Sequence, residues 1–146
     1  MRYIKLYEEF DKISKLTKTI FTISEKYIDE HKCDLIDLNN GFCEDIAHDV
    51  IDIIGEDENS YIIDDGWFWS DENISDIKTL GGEYWNMNNM EKYGIPPFDI
   101  NLLSKFDLTG HTWIYSFGKH YDVEAINGVD NFWNLPIFKR QVANIK

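Results

Sequence analysis

The chain has few basic residues, and this shortage limits the classes of molecule that the protein is expected to bind. Only 14 lysines and arginines stand against 27 aspartates and glutamates, which gives a formal net charge of −13. Because nucleic acid is a polyanion, this balance argues against direct binding of DNA or RNA. It leaves open a basic protein partner, including one whose nucleic-acid groove is filled by carboxylates in place of phosphates. The simpler interpretation is that the acidic charge keeps the protein in solution.

Cysteine is scarce too, because Cys33 and Cys43 are the only two in the chain. Two cysteines do not make a disulfide framework, so a reducing compartment suits them. Together with His31 and His48 they still lack the paired spacing of a zinc site, and no glycine-rich phosphate loop is present. We therefore expect no metal and no cofactor.

Long apolar runs are also lacking. None approaches the ~18 residues of a membrane span, and the acidic residues of MRYIKLYEEFDK come too early for a signal peptide. We expect a soluble, cytoplasmic protein with no membrane partner. With 146 residues, 43% of them hydrophobic and 15% aromatic, the chain is predicted to fold as one domain spanning 1–146.

Two helices are predicted in the N-terminal third. Apolar residues recur every three or four positions over 6–28, which indicates a helix that the β-branched residues of 17–22 could interrupt. The tract HKCDLIDLNNG then loses this periodicity and ends in turn residues. A second helix is predicted over 42–54, with Asn39 or Asn40 as its cap and Gly55 at its end. Cys43 falls in its first turn, where the helix dipole favours a thiolate.

Strands are predicted mainly near the C-terminus. Residues 61–63 form a short strand candidate, and 56–110 otherwise read as loops with aromatic anchors around a cleft. HTWIYSF and KHYDVEA are two strand-like runs joined at Phe117-Gly118, a typical hairpin turn. Ser116 should then face Lys119. The tail FWNLPIFKR is apolar and is expected to pack at an edge of the core.

The hairpin register places a histidine beside two acids. Counting back from the turn, Trp113 faces Asp122 and His111 faces Glu124. Because paired residues share a face of a sheet, His111 would have Glu124 opposite and Asp122 on the diagonal. A carboxylate in such a position holds an imidazole in one tautomer, which leaves the other nitrogen to act as a base.

Two motifs carry a resemblance to a known group of proteins. GFCEDIA resembles the Gly-x-Cys-x-x-x-Ala helix start of the papain-like and transglutaminase-like cysteine superfamily, and GHTWIYSFGKHYDVEA resembles its His-x-Trp hairpin. Together they cover 23 of the 146 residues. The resemblance implies an α+β fold in which N-terminal helices pack on an antiparallel sheet. It also implies Cys43 as nucleophile and His111 as base. The facing geometry of the hairpin favours Glu124 as the third member, with Asp122 as the alternative.

The rest of the cleft is defined less closely. The resemblance implies a side-chain amide that stabilises an oxyanion, and Asn39 or Asn40 could supply it, unless both are only cap and turn residues. Four tryptophans could form apolar walls or belong to the core: Trp67, Trp69, Trp85 and Trp113.

These observations predict a cysteine-nucleophile hydrolase or acyltransferase. Its substrate would be a protein or peptide with an amide, isopeptide or ester carbonyl, and the outcome could be hydrolysis, deamidation or acyl transfer. The alternative is a catalytically silent acidic protein on the same scaffold that inhibits a basic, nucleic-acid-binding partner. The bias towards Ile, Asn, Lys and Asp is typical of AT-rich genomes and, with the small size, favours a bacterium or a phage as the source.

Overall fold

The computed structural model describes residues 2–64, 111–130 and 132–144, and these residues form an α+β fold. The N-terminal helices and an antiparallel sheet confirm the predicted class. In chain order the elements are α1 (Arg2–His31), α2 (Leu35–Gly41), α3 (Cys43–Ile54), β1 (Ser60–Asp64), β2 (Thr112–Ser116), β3 (Lys119–Asp122), β4 (Ala125–Val129), a short 3-10 helix (Phe132–Asn134) and α4 (Pro136–Asn144). Within these ranges, no helix has the length and apolar character needed to cross a bilayer.

Helix α1 is continuous, so the predicted helix over 6–28 is confirmed and the interruption considered at 17–22 does not occur. A threonine remains compatible with a helix when its hydroxyl bonds to the preceding turn, and the Thr19 hydroxyl donates to the Lys15 carbonyl at 2.7 Å. The apolar stripe is buried only in part. Leu16 and Ile20 are in the core, whereas Phe10 near the start of the helix is 72% exposed.

Helix α2 occupies a tract that was predicted to be a turn. Its cap is Asp34, whose side chain accepts from the Asp37 amide at 2.9 Å, while the Asp34 amide donates to Asp37 Oδ2 at 3.1 Å. This reciprocal pair satisfies two amides that the helix leaves unpaired, and it starts the helix. Asn39 and Asn40 therefore lie inside α2, and the prediction that one of them caps the next helix was wrong.

Helix α3 begins at Cys43, as the sequence predicted within one residue. Phe42 joins it to α2, and within the described residues no side chain caps α3. The helix ends at Ile54. Gly55 follows with φ 87°, and its amide donates to the Ile51 carbonyl at 2.8 Å. A positive φ favours glycine, so the predicted stop at Gly55 is confirmed.

The four strands of the described sheet are antiparallel and lie in the order β1-β2-β3-β4. Phe117 and Gly118 have φ of 46° and 85°, as a two-residue hairpin turn with two left-handed residues requires. Ser116 pairs with Lys119, which confirms the predicted turn and its register. Strand β1 confirms the candidate at 61–63.

Strand β3 ends earlier than predicted. The run KHYDVEA was interpreted as one strand, but β3 stops at Asp122 and the chain turns back into β4 at Ala125. Asp122 Oδ1 accepts from the amides of Glu124 and Ala125, both at 2.9 Å, and a local bond of this kind stabilises a turn. Glu124 is therefore a turn residue, and its predicted position opposite His111 was wrong.

The sheet is covered on both faces. One face packs against α1 and α3 in a core that includes Leu16, Ile20, Val50, Ile114, Tyr121 and Val123. On the other face, Trp113 lies against Phe132 and Phe138, with ring centroids 5.7 and 5.6 Å apart. Phe132 and Phe138 are buried, so the apolar tail packs against the sheet as expected.

Candidate functional site

His111 lies at the entry to β2 and is held by Asp122. The ring is 1% exposed, and its Nε2 is 3.0 Å from Asp122 Oδ2. The second oxygen of that carboxylate, Oδ1, binds the two amides of the β3–β4 turn. Because both oxygens are engaged, the carboxylate is fixed and in turn fixes the orientation of the imidazole.

Cys43 is a neighbour of the same histidine. It is the first residue of α3 and is partly buried, and its thiol interacts with the His111 ring. The structure thus brings Cys43, His111 and Asp122 together, with Asp122 beside the histidine where the sequence had favoured Glu124.

The charge state of His111 follows from these neighbours. Burial alone lowers the pKa of a histidine, because it disfavours the charged ring. The hydrogen bond to Asp122 and the interaction with Cys43 outweigh burial and raise the pKa of His111 to about 9. At neutral pH the ring is therefore an imidazolium beside the Cys43 side chain.

Glu124 has different partners from those predicted. It binds Arg140 of α4 through two hydrogen bonds of 2.7 Å, one to each carboxylate oxygen. Its Oε2 also accepts from Asn39 Nδ2 at 2.7 Å. The expectation that Glu124 approaches His111 more closely than Asp122 does was therefore wrong. The reason is the early end of β3, which the alternating pattern of the sequence does not mark.

Asn39 and Asn40 lie in different environments in the structure. Asn39 is 1% exposed and lines a small cavity of about 10 Å³ together with Cys43, whereas Asn40 is exposed. One N–H of the Asn39 amide binds Glu124. Among the residues that the structure describes, its Oδ1 has no hydrogen-bond partner. Asn39 is thus the asparagine that lies at the candidate site.

Trp113 is a core residue that also borders the site. It is 3% exposed, and its ring stacks on His111 with centroids 5.7 Å apart. Its indole N–H donates to His120 Nδ1 at 2.9 Å. The other predicted wall residues, Trp67, Trp69 and Trp85, lie outside the described residues, as does most of the predicted cleft segment.

Two functional candidates were missed in the sequence. Arg140 carried no motif, and only its position after the apolar run LPIF indicated that it would lie on a packed helix. His120 faces the aromatic layer, where burial lowers its pKa to about 4 and keeps it neutral. Across 2–64, 111–130 and 132–144, no group of three or more histidine, cysteine or acidic side chains could hold a metal ion.

Comparison with protein-family models, curated protein sequences and solved structures finds no match to this chain.

Proposed function

We propose that the protein is a cysteine-nucleophile hydrolase or acyltransferase with a papain-like or transglutaminase-like arrangement. Its site would use Cys43, His111 and Asp122 on an amide, isopeptide or ester carbonyl of a protein or peptide. The single observation that supports this proposal is His111, which is 3.0 Å from the Asp122 carboxylate and whose charged form is stabilised by both Asp122 and Cys43. A histidine held in this way both stabilises a thiolate and can pass its proton to a leaving group.

The first half of the reaction follows from the protonation states. Cys43 Sγ attacks the carbonyl carbon, a sulfur–carbon bond forms, and the C=O electron pair moves onto oxygen. As the tetrahedral intermediate collapses, the imidazolium of His111 gives its proton to the leaving amine or alcohol. Asp122 stabilises the imidazolium and keeps the ring aligned. The product of this half is an acyl-thioester on Cys43.

The second half releases the acyl group. Water or an amine gives a proton to the neutral ring of His111 and attacks the thioester carbon, and sulfur leaves as the thiolate. Water gives hydrolysis or deamidation, and an amine gives acyl transfer. The leading amides of a helix have no partner within it, so the Cys43 N–H would stabilise the oxyanion in both halves.

Alkylation with iodoacetamide tests the activated thiol, and Cys33 serves as the internal control. Both cysteines are free and partly buried, but burial and the nearby Asp37 and Asp34 raise the pKa of Cys33. In folded protein at pH 6, Cys43 should react at least about tenfold faster than Cys33, as measured by peptide mass spectrometry. His111→Gln should abolish this advantage, because it removes the imidazolium.

Turnover gives the complementary test. Cys43→Ala should abolish acyl hydrolysis or transfer without unfolding the protein, since alanine is a good helix residue. A thiol at position 43 that reacts only after unfolding would contradict the proposal. It would favour instead the acidic binding protein, whose effect on a basic partner would persist in Cys43→Ala.

A further inference from the structure

The carboxamide of Asn39 is held in one orientation by charge. Its Nδ2 donates to Glu124 Oε2 at 2.7 Å, and Arg140 grips the same carboxylate with two bonds of 2.7 Å. A flipped amide would bring Asn39 Oδ1 against the Glu124 carboxylate, so that two acceptors would face each other. The Arg140–Glu124 ion pair therefore fixes the orientation of the Asn39 carboxamide.

This orientation leaves the Asn39 oxygen as a buried acceptor. The residue is 1% exposed, and among the described residues Oδ1 has no partner. Burial of an unsatisfied carbonyl oxygen is unfavourable, so such a group needs an explanation. Asn39 and Cys43 line the same cavity of about 10 Å³, which is the space of roughly one water molecule. An N–H or NH2 group fits a space of that size.

We propose that Asn39 is a specificity-determining residue, with Oδ1 accepting a hydrogen bond from the N–H of an amide bound at Cys43, and with Glu124 and Arg140 as its positioning residues. This inference rests on the proposed function and narrows its substrate class to amides. An ester has no N–H, so it would leave Oδ1 unsatisfied and place a second acceptor beside it. Loss of a buried partner of this kind is a strong basis for discrimination.

Two alkylating reagents that differ only in this group test the proposal. Iodoacetamide carries an amide, and methyl iodoacetate carries an ester. In both reactions Cys43 Sγ attacks the CH2 carbon, a sulfur–carbon bond forms, the carbon–iodine bond breaks and iodide leaves with the electron pair. The amide-to-ester ratio of rate constants at Cys43 is divided by the same ratio for N-acetylcysteine, which removes the intrinsic difference between the reagents.

The normalised ratio should favour the amide by roughly tenfold in the native protein, as expected for one buried hydrogen bond. Asn39→Leu has a similar size and no acceptor, so its ratio should fall to that of the free thiol. Asn127→Leu is the matched control at an exposed asparagine and should keep the native ratio.

A second pair of variants tests the positioning residues. In Glu124→Gln the new amide can donate to Asn39 Oδ1, which permits the flipped orientation, so the ratio should fall most of the way to that of the free thiol. Glu56→Gln, at an exposed glutamate, should not change it. Comparison of Glu124→Gln with Glu56→Gln tests the role of the Asn39 orientation even if Asn39→Leu fails to fold.

The amide protons give an independent signal. After alkylation with 15N-labelled iodoacetamide, the NH2 group on Cys43 should show a downfield proton and slowed exchange, and both should be lost in Glu124→Gln. The inference would be overturned if the native amide-to-ester ratio equalled that of N-acetylcysteine, or if it were unchanged in Glu124→Gln. Either result would not affect the proposal that Cys43 is the nucleophile. A Cys43 that reacts with neither reagent until the protein unfolds would overturn the proposed function as well.

Discussion

The folded protein should lose stability in alkaline solution, because the His111 ring loses its proton there. The Asp122 and Cys43 contacts outweigh burial and raise the pKa of His111 to about 9 in the folded state, against 6.5 for an unperturbed histidine. A difference of this size corresponds to roughly 3 kcal/mol of folding free energy. Because the folded-state pKa is raised, this contribution is fully present below pH 6.5 and is lost as the pH rises through about 9.

Urea unfolding at pH 6 and pH 10 measures this effect. Many other groups titrate in this range, so the useful quantity is the difference between native protein and His111→Gln, whose side chain has no charge to lose. The native protein should lose roughly 3 kcal/mol more than His111→Gln between the two pH values. Asp122→Asn should lose less than the native protein does, because it removes a major contact that raises the pKa of His111.

An equal loss of stability in the native protein and His111→Gln would refute the reasoning. So would an imidazole that NMR shows to titrate near pH 6.5 in the folded protein, because the ring would then lack the interactions with Asp122 and Cys43 that raise its pKa. The exposed Asp130→Asn is the control, and its pH dependence should match that of the native protein.

Three further predictions concern stability. Burial lowers the pKa of His120 to about 4, so stability should fall as the pH drops from 6.5 towards 4, and His120→Gln should flatten this loss in urea titrations. Arg140→Met should lower the free energy of unfolding by about 1–2 kcal/mol, discounted for the 36% exposure of Arg140, and a second change, Glu124→Leu, should recover part of it. Gly128→Ala should lower the melting temperature clearly, because its Cβ would lie 2.7 Å from the Tyr121 ring and φ is 78°.

The parts of the fold that were predicted well depend on short-range signals. The Phe117-Gly118 turn fixes the register of β2 and β3 within a few residues, so pairing could be counted directly from the sequence. The placement of Cys43 at a helix start likewise required only the apolar period of 42–54 and the stop at Gly55. Both features are set by neighbours in sequence, and sequence patterns describe such neighbours best.

The errors occurred where a short polar side chain decides the path of the backbone. The Asp34 and Asp37 pair starts α2, but an aspartate in the third position is a less familiar form of the capping box than glutamate. Asp122 ends β3 in the same way, by accepting from two amides that the strand would have used elsewhere. Alternating apolar residues show that a strand exists but do not show where it ends.

Asp122 links the end of β3 to the identity of the third site residue. Its Oδ1 forms the turn and its Oδ2 faces His111, so the same side chain stops the strand and orients the imidazole. Once the chain turns, Glu124 points to Arg140 and Asn39, because the turn carries it away from the pairing edge. Glu124, which was expected to bind His111, thus binds Asn39 instead. The strand end was placed three residues too late, at Ala125 instead of Asp122, and this error exchanged the roles of two carboxylates.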